Sequence, residues 1–306
     1  MRVLVVNAGS TSLKLHLVDG NDARAVDDVV DADAVGYRIV HGGTFESAQL
    51  LDAEVEREIE RLTVIAPLQN RRALDTIAAV RAALPAVPHV AVFDTTFHRT
   101  LPPAAATYAI PRIWREQHGV RRVGFHGISV QWVASQVRAP RLVVCHLGGG
   151  CSVTAVRDGR SVDTTMGFTP LAGVPMATRS GDVDPGALLF LLQQGLVSVD
   201  ELGHGLEHES GIAGLSDDPS GDIRSASPLA LDVFVHRVAA AVAAMAAACG
   251  GLDALAFTGG IGEHADDVRE RIVERARFLG DFDVCVIPAR EELVIARETL
   301  RVLGRD

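Results

Sequence analysis

Three glycine-rich segments and a few charged side chains carry the chemistry of this sequence. Asn7-Ala-Gly-Ser-Thr-Ser-Leu-Lys14 puts amide, hydroxyl and ammonium groups in a tight turn between two apolar runs, where exposed backbone N–H groups can meet phosphate oxygens. The GxxxxGK[ST] spacing is absent, so this is not a Walker A loop. His146-Leu-Gly-Gly-Gly150 is a second such turn, and its three adjacent glycines admit a ligand closer to the backbone than any Cβ would allow. Thr258-Gly-Gly-Ile-Gly-Glu263 follows an apolar run and opens a helical pattern, the strand, turn and helix order that favours an anion or nucleotide. Together the three turns point to a nucleotide.

Two arginines suit bidentate binding of carboxylate or phosphoryl oxygens, because each couples a rigid guanidinium fork to an uncrowded backbone. Arg38 lies in Val35-Gly-Tyr-Arg-Ile-Val-His-Gly-Gly43, on the strand face opposite Val35, Tyr37 and Ile39. Arg179 lies in Ala177-Thr-Arg-Ser-Gly-Asp-Val-Asp-Pro185, where an ion pair with Asp182 or Asp184 would explain it equally well. Asp94 ends the apolar run 90–93, the position at which open α/β sheets hold ligands; capping the turn at Thr95 and Thr96 is its alternative role. His126, set among glycines, reads as either a ligand-binding or a structural histidine. Glu291 opens the last helical pattern, where a carboxylate suits the helix dipole in any case. His41, His98, His204 and His208 show no metal-ligand spacing.

These groups need a scaffold, and 306 residues predict about two domains, each with its own core. Short β-type runs at 3–6, 12–18, 35–40, 90–93, 142–146, 152–157, 255–258 and 284–287 alternate with helical patterns, which predicts α/β architecture. Val55, Ile59 and Leu62 recur at helical spacing, as do Val268, Ile272 and Leu279 before Gly280. Asp184 before Pro185, and Ser198 with Glu201, read as helix starts. The opening Val3-Leu-Val-Val-Asn-Ala-Gly echoes Leu142-Val-Val-Cys-His-Leu-Gly at an offset of 139 residues, and both second strands end in Asp-Gly, so two similar halves are expected.

Composition narrows the function classes. With 48% apolar and 22% charged residues the chain is neither disordered, collagenous nor coiled-coil. A net charge of -10 argues against nucleic acid as a partner, although a local arginine pair can still hold a small anion. Residues 238–252 are uncharged but Ala-rich and too short for a span, so they read as a buried helix, with no membrane partner. The apolar run 3–6 enters a polar loop rather than a signal-peptide core, and the four cysteines lack any CxxC pattern; a cytoplasmic protein with reduced thiols is expected.

The residues resemble the acetate kinase family. Asn7 to Lys14 is similar to its N-terminal signature, and Met166-Gly-Phe-Thr-Pro170 with the run from Arg179 to Pro185 is similar to its second. Further matching segments are Arg38 to Gly43, Ala66-Pro-Leu68, Phe93-Asp-Thr-Thr-Phe-His98, Gly124-Phe-His-Gly127, Gly260-Ile-Gly-Glu263 and Glu291-Glu-Leu293, all in the family's order. The resemblance implies an α/β fold of two actin-like, ribonuclease H-like (sugar kinase-type) domains with a nucleotide cleft between them. Residues 1–100 would form the first domain, with a C-terminal helix 292–306 packing back on it, and 101–291 the second. It also implies a homodimer.

Residue by residue, the resemblance places Mg²⁺, or Mn²⁺, near Asn7 and Glu291. It puts ATP on Lys14, on His146, Leu147, Gly148, Gly149 and Gly150, on Asp222, Ile223 and Arg224, and on Gly260, Ile261, Gly262, Glu263 and His264. Arg38 would bind the substrate carboxylate, with Val40, Leu68 and Pro170 around its methyl group; Asp94, His126 and Arg179 would be catalytic. The implied reaction is reversible ATP-dependent phosphorylation of a short-chain carboxylate, acetate foremost, to the acyl phosphate and ADP. The alternatives are a propionate or butyrate kinase and a catalytically weak nucleotide-binding regulatory relative. Because a carboxylic acid is already ionised near neutrality, Asp94 is expected to act through orientation and metal-water contacts rather than as a base. The chain departs from the family pattern at Gln69, Val130 and Gly149 and in its short length.

Overall fold

Valine-rich runs become strands here, and central ones such as 3–6 and 90–93 are buried on both faces. The computed structural model describes residues 1–8, 13–65 and 67–305, with the side chains of 67–69 left out, and the chain divides into two compact units. The first comprises Met1–Arg99, Phe125–Trp132 and Arg290–Asp306, and the second Thr100–Gly124 and Val133–Ala289.

In the first unit, β1 (Arg2–Ala8), β2 (Leu13–Asp19), β3 (Asp22–Val26), β4 (Ala34–Ile39), β5 (Gln49–Leu50) and β6 (His89–Phe93) form one sheet in the order β3-β2-β1-β4-β6-β5. β1, β4 and β6 are parallel, whereas β2, β3 and β5 pair antiparallel. Strand alternation sorts the core into two layers. On one face Leu4, Val6, Val35, Tyr37, Ile39, Ala91 and Phe93 meet Val55 and Ile59 of the helix Ala53–Arg61 and Ile77 and Val80 of the helix Pro67–Ala83. On the other, Val3, Val5, Val90 and Val92 meet Leu293, Val294, Ile295 and Ala296 of the helix Glu291–Val302. Gly36 makes that second layer close: a Cβ there would stand 2.3 Å from Thr299 Oγ1 and 2.9 Å from Ile295 Cγ2.

In the second unit, β7 (Arg141–Leu147), β8 (Cys151–Arg157), β9 (Arg160–Thr164), β10 (Ala254–Thr258) and β11 (Asp283–Val286) run in the order β11-β10-β7-β8-β9. β7, β8 and β9 are an antiparallel meander, and β7, β10 and β11 are parallel. With the two-residue β5 set aside, each sheet reads 3-2-1-4-5 in its own strands, the ribonuclease H-like order, so the 139-residue sequence echo is a repeat of topology. Residues 238–252 fall largely in the helix Pro228–Cys249, which packs on β7, β8 and β9. That helix is long and apolar enough to cross a membrane by length and composition alone, yet it buries Phe234, Val235, Val238 and Val242 in this unit's core. It ends at Gly250, held at φ 77°, where glycine carries no Cβ penalty.

The helix starts read from Asp184 and Ser198 are present: Asp184 accepts from Gly186 N, and Ser198 and Glu201 form a capping box. The strands not anticipated are β3, β5 and β9. Each is two to five residues long and partly exposed, and such edge strands need no apolar alternation to form. All four cysteines are free, three of them buried.

Candidate active site

In the first unit the parallel strands β1, β4 and β6 deliver polar groups to one end of one face. Val6 pairs with Tyr37 and Ile39 with Phe93, so Asn7, Arg38 and Asp94 come together just past the apolar pairs at the carboxyl ends of the strands. By alternation all three share the face of Val3, Val5, Val90 and Val92, which the helix Glu291–Val302 covers, and its first residue is Glu291. Lys14 is the cross-strand partner of Asn7 and is exposed; Gly9 to Ser12 of the same turn lie outside the described residues.

The four side chains form one network. Arg38 donates from Nε, at 2.9 Å, and from Nη2 to the same Asp94 oxygen, Oδ2, and from Nη1 to Asn7 Oδ1 at 3.3 Å. Asn7 Nδ2 donates to Glu291 Oε2 at 2.9 Å, and that oxygen stands 4.0 Å from Arg38 Nε. Asp94 is fully buried; its other oxygen, Oδ1, makes no hydrogen bond of full geometry, and the nearby Ile128 backbone N–H favours the ionised carboxylate. Burial raises the Asp94 pKa, opposed by the Arg38 charge and reinforced by Glu291. Burial works to lower the Arg38 pKa, but Asp94 and Glu291 outweigh it, so Arg38 is held cationic above its ordinary value. The Asp94 carboxylate thus serves Arg38, and Thr96 Oγ1 closes the following turn by donating to Phe93 O.

His126 is buried with φ 59°, an uncommon conformation for a residue with a Cβ. The next residue is glycine by necessity: a Cβ on Gly127 would lie 2.2 Å from Asp94 O, the atom to which Gly127 N donates at 2.9 Å. The backbone of Asp94 therefore anchors the turn that carries His126. Val40 stands half-buried one residue past β4, and the Leu68 side chain lies outside the described residues.

In the second unit a cavity of about 430 Å³ opens at the carboxyl ends of the parallel strands β7 and β10. Its walls include Gly148 and Gly149 after β7, Gly260, Ile261 and His264 after β10, and Asp222, Ile223 and Arg224. Gly259, at φ 79°, lets the two loops touch, since a Cβ there would stand 2.7 Å from Leu147 O. Asp222 accepts Arg224 N at 2.9 Å and also pairs with the Arg224 guanidinium; that pairing holds its pKa down to about 2. The remaining expected nucleotide residues do not line the cavity. Leu147 and Gly262 are buried, His146 and Gly150 are half-buried, and Glu263 Oε1 instead accepts from Gly259 N and Ala289 N at 3.1 and 3.0 Å. Sequence reading missed Ala177, Ser220, Gly221 and Ala265 in the lining. The Pro-Ser-Gly turn before Asp222 was the available signal for two of them.

Arg179 belongs to this second unit, half-buried, with Nη1 donating to Pro170 O at 2.9 Å. Its neighbouring carboxylates serve the backbone: Asp182 accepts Gly173 N at 2.8 Å and Asp184 caps Gly186. Met176 N donates to Arg179 O, and Ser180 N to Leu206 O, both at 3.0 Å, so the loop around Arg179 is braced from two sides.

An acid–guanidinium network on one ribonuclease H-like unit and a glycine-walled cavity on the other are parts a phosphotransferase needs, and known proteins place the chain accordingly. Residues 21–285 match the Acetokinase family. The chain is 43% identical to the acetate kinase of Deinococcus deserti over 355 aligned positions, covering 99% of this chain and 88% of that protein. It is 43% identical to the acetate kinase of Nostoc punctiforme, over 87% of this chain and 70% of that one. Among solved structures, a propionate kinase from Francisella tularensis superposes with a TM-score of 0.91 at 32% identity, covering 98% and 99% of the two chains. The acetate kinase of Porphyromonas gingivalis gives 0.88 at 29% identity, with 99% of each chain covered. Sequence likeness over nearly the whole chain, with the same fold, shows that this protein is a member of the acetokinase family.

Proposed function

We propose that the protein transfers the γ-phosphoryl group of ATP to a short-chain carboxylate, acetate foremost, reversibly forming an acyl phosphate and ADP. The observation that carries this reading is the network of Arg38, Asp94, Asn7 and Glu291. Arg38 has five N–H donors, and three contact Asp94 and Asn7, so two remain for the oxygens of an acid. Asp94 fixes the guanidinium plane and takes no proton from the substrate, because a carboxylic acid is already ionised near neutral pH. His126 and Arg179 supply positive or hydrogen-bonding groups to the phosphoryl oxygens in transit.

The family implies ATP and a divalent metal. The carbonyl and carboxylate oxygens of Asn7, Glu291 and Asp94 are hard donors that fit Mg²⁺ or Mn²⁺. Among the described residues no group of three His, Cys, Asp or Glu gathers to hold a metal, which suits an ion that keeps most of its water and binds phosphate. Such an ion would neutralise phosphate charge. The second-unit cavity would take the nucleotide, against the backbone of Gly148, Gly149 and Gly260 and beside Ile223 and Ile261.

The Pro185–Gln193 helix supports a homodimer: no residue of this apolar helix is buried, Leu189 and Phe190 are 55% and 56% exposed, and Leu196 and Val199 beyond it are more exposed still. The four free thiols support a cytoplasmic setting. Propionate is the second substrate to test, since a propionate kinase is a close structural neighbour and one methylene is worth only about 1–3 kcal/mol. The test is trapping of acyl phosphate as hydroxamate with Mg-ATP and acetate, propionate or butyrate, beside Arg179→Ala. Product that depends on the acid and falls about 10³-fold in the variant supports the reading; acid-independent ATP turnover, or an unaffected variant, refutes it.

A further inference from the structure

The helix Val199–His208 carries two histidines that the proposed reaction does not use. Helical folding turns the four-residue spacing of His204 and His208 into a ligand spacing, because positions i and i+4 share a face. Their ring centroids stand 5.0 Å apart with planes at 47°. Two imidazole nitrogens at about 2.1 Å from one ion, at a roughly tetrahedral angle, put the ring centres about 5 Å apart. Glu209 Oε1 lies 3.5 Å from His204 Nε2, and Glu207 Oε2 lies 3.9 Å from His208 Nε2, so anionic oxygens flank both rings.

The turn between the histidines is weak by sequence and busy by structure. Gly203 and Gly205 flank His204, each costing about 1 kcal/mol of helix propensity relative to alanine, and a Cβ on either would meet nothing within 4 Å. Close packing therefore does not require these glycines. Yet the carbonyls of this turn hold the Arg179 loop: Leu206 O accepts from Ser180 N at 3.0 Å and Glu207 O from Thr178 Oγ1 at 2.9 Å. Ser210, which donates to Gly205 O, also gives its N–H to Thr178 O.

We propose that His204 and His208 form a site for a divalent transition metal, Zn²⁺ in the first instance, whose binding stiffens this helical turn and, through it, residues 178–180 around Arg179. Imidazole nitrogens select such a metal over Mg²⁺, which keeps to oxygen. Two protein nitrogens define the site, and water completes it. The proposal rests on the kinase reading only for its effect on turnover, and its test does not use turnover.

Zn²⁺ is titrated calorimetrically into the full chain in excess Mg²⁺, for the native protein and for His204→Ala and His208→Ala. Both replaced side chains are about half exposed or more, so the variants should fold, which their melting temperatures check. One ion per native chain is expected, with binding lost in each single variant because chelation needs both rings. With Zn²⁺ at ten times its dissociation constant, hydrogen exchange at the Ser180 and Ser210 amides slows about tenfold in the native chain alone. Gly203→Ala with Gly205→Ala, which strengthens the turn without metal, slows the same amides. Binding that survives either histidine variant, or exchange that responds to neither Zn²⁺ nor the alanines, overturns the proposal.

Discussion

Arg38 is bound into the fold and, on the proposed function, keeps donors for the substrate. Its two donors on a single oxygen of the buried Asp94 leave a defined remainder, which a lysine cannot reproduce, since an ammonium has three donors and no plane. Arg38→Lys is therefore expected to raise the acid's KM and lower kcat/KM by about 10²-fold or more, while ATP binding to the second unit stays unchanged. Arg38→Ala should also destabilise the protein by about 3–5 kcal/mol, because it strands a buried carboxylate; chemical denaturation measures this. Two buried histidines contribute to the loss of stability in acid. Burial lowers the pKa of His41 and of His98 to about 4, so each stays neutral in the fold but takes up a proton once unfolded below about 6.5. Their contribution to stability is full above pH 6.5 and is lost as pH falls from there towards 4. His98→Gln should reduce the slope of unfolding free energy against pH by about 1 kcal/mol per unit between pH 6 and 4.5. A slope equal to that of the native chain would contradict this account of His98.

At the scale of elements, the site is made by strand ends and one helix start rather than by a loop. Gly36 sets the spacing, because it lets the helix Glu291–Val302 lie on β4 and bring Glu291 to Asn7. Gly36→Ala should cost about 1–3 kcal/mol by overpacking. It should also raise the metal concentration needed for half-maximal activity, since Glu291 must move with the helix; a Mg²⁺ titration that matches the native chain would exclude that coupling. Much at this scale was legible beforehand. The longer strands were marked by short apolar runs, and two helix starts by Asp184 and by Ser198 with Glu201. The short edge strands β3, β5 and β9 were not, because a partly exposed edge bears no alternating pattern. The walls of the cavity were legible as glycine motifs, but Ala177 and Ala265, small and unremarkable in sequence, enter it only because their backbones are brought there.

At the scale of the molecule, the repeated 3-2-1-4-5 sheet places a polar network at one set of strand ends and a glycine-walled cavity at the other, and the exposed apolar helix Pro185–Gln193 asks for a cover. Phe190→Glu is expected to shift the protein from dimer to monomer in sedimentation at micromolar concentration, with the melting temperature of the separated chain unchanged or lower; a native chain that sediments as a monomer would remove the dimer from the description. What the sequence determined by itself is the α/β class, the two-fold internal echo, the family and the residue types available for phosphoryl transfer. These depend on local periodicity and on motifs contiguous in the chain. Only the tertiary structure decided that Arg38 commits three donors to Asp94 and Asn7, that Glu263 anchors backbone instead of lining the cavity, and that the helical turn of His204 and His208 holds the Arg179 loop. Those facts depend on contacts between residues distant in sequence and on which way a backbone turns, and no local pattern encodes them.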